Sequence, residues 1–241
     1  DVAASGGSSA ISSGSVVFSL GTTYPELRVD EPVPCDGYGS ILFMSNVWFS
    51  VYKRAGITVP TNRYLLILTP KPQNDCIWDG RGTTNTIPST TGIVLLKNTI
   101  DAFVVAHELG HNLGLGHSNL IRCPNNVSDG QWANCNAIEY GGAGDVMSNV
   151  DVKGPLSTYH QWRLGIIADS DVKQVWKTET VDLKYTNAAS GTRAIFVRDG
   201  KQTYWMEYRK AADGYTPGLA IYRTEPPPAS SVVSPNVSDG V

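Results

Sequence analysis

The sequence predicts an α+β protein, and three observations predict it. A long segment around residues 99–112 carries apolar residues on most of its sides, as a buried helix does. Short apolar runs at 64–68 and 92–96 read as strands between a second helical pattern and that helix. From residue 181 onward the pattern changes to short strands separated by Asp-Gly and other Gly-bearing turns, the mark of a small antiparallel β subdomain.

The elements follow in chain order. Residues 1–15 are rich in Ser, Gly and Ala and read as a linker or the tail of a removed segment. A strand is expected at 16–20 and a short one at 27–29. Ile41, Met44, Val47, Trp48 and Val51 recur at helical spacing, so 40–54 reads as an amphipathic helix ended by Gly56. A buried strand is expected at 64–68, bounded by Pro70, and another strand at 92–96 precedes the helix of 99–112. Thr99 is the expected N-cap of that helix, with Asp101 in its first turn. Residues 118–146 read as loop. A helix is expected at 157–164, and strands at 181–185, 193–197, 203–208 and 219–222. The run Pro226-Pro227-Pro228 opens a tail, 226–241, that reads as a linker to a missing C-terminal part.

Three of the four histidines lie in His107-Glu108-Leu109-Gly110-His111-Asn112-Leu113-Gly114-Leu115-Gly116-His117. This is H-E-x-x-H-x-x-G-x-x-H, and Gly144-Asp145-Val146-Met147-Ser148 comes after a long insert. His107 and His111 stand one helical turn apart, about 6 Å along the axis, so both rings can reach one ion. Glu108 is rotated by about 100° from His107, which suits it to reach a water beside the metal rather than the metal itself. Gly114 can take the positive φ that turns the chain back, and His117 then approaches the ion from a new direction. Three neutral imidazoles leave the fourth position of Zn²⁺ open, as in a catalytic site. The alternative, two histidines buried without a partner, is costly, and a metal removes that cost.

On these residues the chain resembles the metzincin zinc metallopeptidases. The extended histidine motif and Met147 carry that resemblance. Ser118 after the third histidine is similar to the matrixins, whose Met-turn follows much sooner. The cysteine-bearing insert and the run from Glu139 to Met147 resemble the gametolysin-type secreted metallopeptidases, as do Cys76-Ile77-Trp78-Asp79-Gly80 and Trp205-Met206-Glu207-Tyr208-Arg209. The resemblance covers about residues 16–225. It implies a zincin-like catalytic domain over 16–167, with a mixed twisted sheet and a central active-site helix, and a small β subdomain over 168–225. It also implies that Met147 sits in a tight turn beneath the histidines without bonding the metal, and that the strand at 92–96 is the cleft rim that pairs with an extended substrate. The other reading of that strand is an ordinary inner strand. Astacins and serralysins carry a Tyr ligand two residues after the Met; here Asn149 stands there, so three protein ligands are expected.

The implied activity is a zinc-dependent endopeptidase that acts on extracellular proteins. His107, His111 and His117 hold Zn²⁺, and Glu108 is the general base toward a metal-activated water. The alternative is a non-catalytic zinc-containing binding or adhesion module; the intact Glu108 argues against it. A deacetylase-type hydrolase is a third reading, disfavoured by the clan resemblance. The fourth histidine, His160, reads as a packing or hydrogen-bonding residue rather than a ligand. Glu207 and Arg209 read as solvated or paired charges on a strand.

The chain has 241 residues, 41% hydrophobic, with a net charge of −3 and no basic cluster, so no nucleic-acid partner is expected. No apolar run is long enough to cross a membrane, and a monomer that meets protein or peptide substrates is expected. Four cysteines without metal-pair spacing suggest two disulfides and a secreted protein. Three pairings are possible. Cys35–Cys76 with Cys123–Cys135 is favoured, because it staples the insert and ties the N-terminal segment to the loop before the site. A rival role for Cys35 is an inhibitory thiolate. The sequons at Asn126 and Asn236 are compatible with secretion.

Overall fold

The computed structural model describes residues 18–224 except 20, 25, 27, 29, 31, 54–55, 58–62, 70–75, 85–90, 99, 128–129, 132–133, 143–144, 150–153, 201 and 212–216. The expected strands at 16–20 and 27–29, the cap residue Thr99, Gly144, both terminal linkers and the Asn236 sequon fall wholly or partly outside those residues. The protein is mixed α+β, with several small sheets and few helices. It divides into two compact units, one built on Phe18–Gly114 and the other on Leu115–Val241.

In the first unit, helix α1 (Gly37–Asn46) continues in wider π turns over Val47–Tyr52. It begins earlier than the apolar pattern implied. The pattern still names its buried side: Met44 and Val47 lie in one core with Phe43, Tyr52, Leu65, Ile67, Trp78 and Leu95. The strands are β1 (Tyr64–Thr69), β2 (Gly80–Gly82) and β3 (Gly92–Lys97), in the order β1-β3-β2. β1 runs parallel to β3, with Leu66 opposite Val94, and β2 is antiparallel to it, with Arg81 opposite Leu95. The Cys35–Cys76 disulfide and the bond from the Trp78 indole N–H to the Cys35 carbonyl tie the segment before α1 to the loop before β2.

This order corrects the expectation that residues 92–96 form a cleft rim. β3 is flanked on both sides, and its middle, Val94, Leu95 and Leu96, is buried as an inner strand requires. Among the described residues β2 pairs only with β3, so the free edge belongs to Gly80-Arg81-Gly82. A three-residue strand with glycine at both ends has no apolar periodicity to read, which is why the sequence concealed it.

In the second unit, β4 (Leu120–Arg122) and β5 (Asn136–Ile138) form a two-stranded ribbon inside the stretch expected to be loop, and the Cys123–Cys135 disulfide closes it. Helix α3 (Thr158–Arg163) has Ser157 as N-cap, its hydroxyl accepting the His160 N–H. A four-stranded sheet follows in the order β6 (Val172–Val175), β7 (Ala194–Asp199), β8 (Gln202–Arg209) and β9 (Gly218–Arg223).

The last three of these strands match the expected ones and are antiparallel. The first does not: β6 lies at 172–175 and runs parallel to β7, and residues 181–185 contribute only an isolated bridge from Tyr185 to Tyr208. The cause is local. Arg193 donates its backbone N–H to the Asp171 carbonyl and pairs its guanidinium with the Asp171 carboxylate at 2.6 Å, which fixes β6 beside the start of β7. Ile167, the expected domain border, is 1% exposed and shares a core with Tyr159, Ala194 and Trp205.

Candidate metal centre

Helix α2 (Ala102–Asn112) carries the first part of the motif. Its N-cap is Asp101, in extended conformation, whose carboxylate accepts the N–H groups of Phe103 at 2.8 Å and Val104 at 3.2 Å. The expected helix therefore starts later, with Asp101 outside it rather than in its first turn; an Asp side chain satisfies two orphan donors there at once. Val104, Val105 and every residue from His107 to Asn112 are buried, whereas Ile100 and Ala102 of the expected apolar pattern are exposed and Phe103 is half-buried. At the C-terminus the Leu113 N–H bonds the Leu109 and Gly110 carbonyls, the Gly114 N–H bonds the His111 carbonyl, and Gly114 takes φ +88°. That is the turn the glycine was expected to supply.

The His107 and His111 rings stand 4.9 Å apart, edge to face. His107, His111 and His117 are all buried, and one ligand atom from each lies within 4.8 Å of the others, so the three can hold a metal ion. The donor chemistry fits such an ion. Three imidazoles form the set, and the third is oriented through its other nitrogen: His117 Nδ1 lies 2.8 Å from Glu139 Oε1. A histidine that donates one ring N–H to a carboxylate presents the opposite nitrogen as a lone pair, the usual arrangement behind a ligating imidazole. The sequence reading missed Glu139 because nothing in its spacing from His117 marks a contact made across a ribbon.

Glu108 is buried against β2. Burial pushes its carboxyl up to about 8, while the charge of Arg81 and the backbone N–H of Gly82 pull it back. The approach needs both glycines. A Cβ at Gly80 would lie 2.8 Å from Glu108 Cγ, and one at Gly82 would lie 2.5 Å from the Glu108 carbonyl oxygen. Asn112, at the end of α2, anchors the same sheet by donating to the Thr83 carbonyl at 2.7 Å and the Ile93 carbonyl at 3.3 Å.

Met147 is fully buried in a tight turn, in which the Ser148 N–H bonds the Asp145 carbonyl at 2.9 Å. The Met147 carbonyl accepts the N–H of Ser118, the residue after the third histidine. Asp145 holds the turn. One carboxylate oxygen accepts the Met147 N–H at 2.7 Å; the other accepts the Ser157 N–H at 2.8 Å and faces His160 Nδ1 at 3.0 Å. Burial alone would raise the Asp145 carboxyl, but His160 and the two backbone donors hold it well below the usual carboxylate range. His160 is thus a buried hydrogen-bonding residue, as expected.

Glu207 and Arg209 are paired, and fully buried rather than solvated. Glu207 accepts the Arg209 Nε–H at 2.5 Å, the Tyr222 hydroxyl, and both the N–H and the hydroxyl of Thr158. Both expected disulfides are present, and with Cys35 bonded to Cys76 the thiolate role for Cys35 has no free thiol to rest on. Among the described residues no helix is long and apolar enough to cross a membrane.

No protein family matches this chain, and none of the curated proteins or solved structures compared with it matches.

Proposed function

We propose that this protein is a zinc-dependent endopeptidase, secreted and acting on extracellular proteins, with the metzincin type of fold. The observation that carries the reading is the buried histidine triad with Glu108 on the same helix, one residue after the first ligand. A structural metal site has no use for a buried carboxylate at that position, whereas hydrolysis requires a base there. The two disulfides support an oxidising compartment.

His107, His111 and His117 would hold the ion. When bound, zinc supplies Lewis acidity and lowers the pKa of water toward about 7. Glu108 takes a proton from the attacking water and returns it to the leaving amine. The Gly82 N–H holds the carboxylate in place for both transfers, and burial keeps bulk water from competing for that proton. The free edge of Gly80-Arg81-Gly82 offers backbone groups to an extended peptide, which gives affinity without demanding a particular side chain. Met147 serves as a support rather than a ligand.

The test compares cleavage of an unfolded protein by wild type and Glu108→Ala, with bound zinc quantified in both. Zinc in both and cleavage by wild type alone is expected, with turnover lower by at least about 10²-fold in the variant. Undiminished cleavage by Glu108→Ala refutes the base; zinc in both with cleavage by neither refutes the peptidase and favours a binding module.

A further inference from the structure

The run Glu139-Tyr140-Gly141-Gly142 has no part in the proposed reaction, yet the fold spends unusual geometry on it. Tyr140 adopts φ +61°, a left-handed conformation that a bulky residue enters only when its surroundings dictate it. Its backbone is held on both sides. The N–H donates to Asn119 Oδ1 at 3.1 Å, and the carbonyl accepts the Asn149 N–H at 3.0 Å. The two glycines lie directly on the chain that follows His117. A Cβ at Gly142 would stand 2.7 Å from Ser118 Cβ, one at Gly141 2.7 Å from Leu120 Cβ, and the Gly142 N–H bonds the Ser118 carbonyl at 3.0 Å. The result of this clamping falls on one side chain. The Tyr140 ring lies 4.0 Å from the His117 ring, centroid to centroid, and the carboxylate of Glu139 meets His117 Nδ1.

We propose that Glu139 and Tyr140 are positioning residues for the third histidine: the carboxylate fixes which ring nitrogen carries the proton, the aromatic ring fixes the plane, and together they set metal affinity. This deepens the metal-centre reading and rests on it. The strained backbone at Tyr140 is the means by which adjacent residues both reach one imidazole. A relaxed, extended residue 140 would send successive side chains to opposite faces, so only one of the two could touch His117. The same positive φ closes the turn at the end of the ribbon, in which the Gly141 N–H bonds the Ile138 carbonyl at 3.1 Å, and that turn carries both side chains to His117.

The test uses the full chain and zinc itself. Zinc affinity is measured by chelator competition, and urea unfolding of the metal-free protein is measured in parallel. Glu139→Ala should weaken zinc by about 10–100-fold. Glu139→Gln keeps an acceptor oxygen for Nδ1–H and should recover part of that loss. Tyr140→Gly should also weaken zinc, while its metal-free urea midpoint stays at or above that of the wild type, because glycine takes φ +61° without strain. Zinc affinity of Glu139→Ala within twofold of wild type overturns the proposal. So does a loss matched by an equal fall in metal-free stability, which marks a structural role. A wild type that binds no zinc overturns both this proposal and the metal centre. A wild type that binds zinc but cleaves nothing removes only the peptidase reading.

Discussion

Replacing Asp145 by Asn keeps the shape of the side chain and removes its charge and one acceptor. In the native turn each oxygen of Asp145 is committed: one to the Met147 N–H, the other to the Ser157 N–H and to His160. An Asn amide can turn its oxygen to either side but not to both. If the oxygen faces Ser157 and His160, the NH₂ opposes the Met147 N–H; the reverse placement sets it against two donors. A buried donor left without an acceptor costs about 1–3 kcal/mol. Breaking the buried Asp145–His160 contact as well brings the total to about 3–5 kcal/mol, a factor of roughly 10² to 5 × 10³ in the folding constant.

Urea unfolding followed by circular dichroism and tryptophan fluorescence measures this, and pH supplies a second signature. The folded Asp145 carboxyl lies below its ordinary value of 3.8. Its contribution is therefore present above that value and is lost as pH falls through the folded value. The part of the gap that belongs to the Asp145 carboxylate should be present above about pH 4 and narrow below it. A loss under about 1 kcal/mol at pH 7, or a gap that ignores acid, refutes the reasoning.

In the metal-free protein Glu108 should contribute stability that is lost as pH rises between about 4.5 and about 8, because the folded carboxyl retains a proton that the unfolded chain has released. Urea midpoints of chelator-treated wild type and Glu108→Gln over that window check it, with the slope reduced in the variant. Gly92→Ala should destabilise by about 1–3 kcal/mol, since the new Cβ falls 2.3 Å from the Asn112 side chain. Adding Asn112→Ala should cost less than the two separate losses combined, as a double-mutant cycle in urea reads directly.

The histidines and the helix that carries two of them were legible because each rests on a short-range rule, one helical turn between ligands and a glycine at the turn; the even number of cysteines gave two disulfides, and of three possible pairings the favoured one is present. Met44 and Val47 were legible through helical periodicity and Leu65 and Leu95 through short apolar runs, but the run at 64–68 is buried on one face only, with Leu66 and Leu68 exposed. What escaped depended on partners distant in sequence. β2 gives no signal because its glycines exist for Glu108 rather than for a strand pattern. β6 is set by Asp171 meeting Arg193, and Glu139 is defined by the ribbon that returns it to His117. The pairing of Glu207 with Arg209 was one of the two readings of those charges, but their burial was not legible, because it is decided by the helix end and the tyrosine that satisfy the pair, and no local pattern marks those.

That last network bears on when the protein becomes complete during synthesis. α3 has only 6 residues, too few to persist on its own, and its first N–H is held by Glu207 of β8. The Thr158 hydroxyl, in turn, accepts the Trp205 indole N–H of the same strand. Asp145 needs Ser157 and His160 from α3 before it can fix the turn around Met147, whose carbonyl holds Ser118. On the ribosome the histidine motif emerges well before β8. A nascent chain that stops short of β8 therefore displays all three histidines without the scaffold that steadies them, and the order of that site waits on the sheet of β6 to β9.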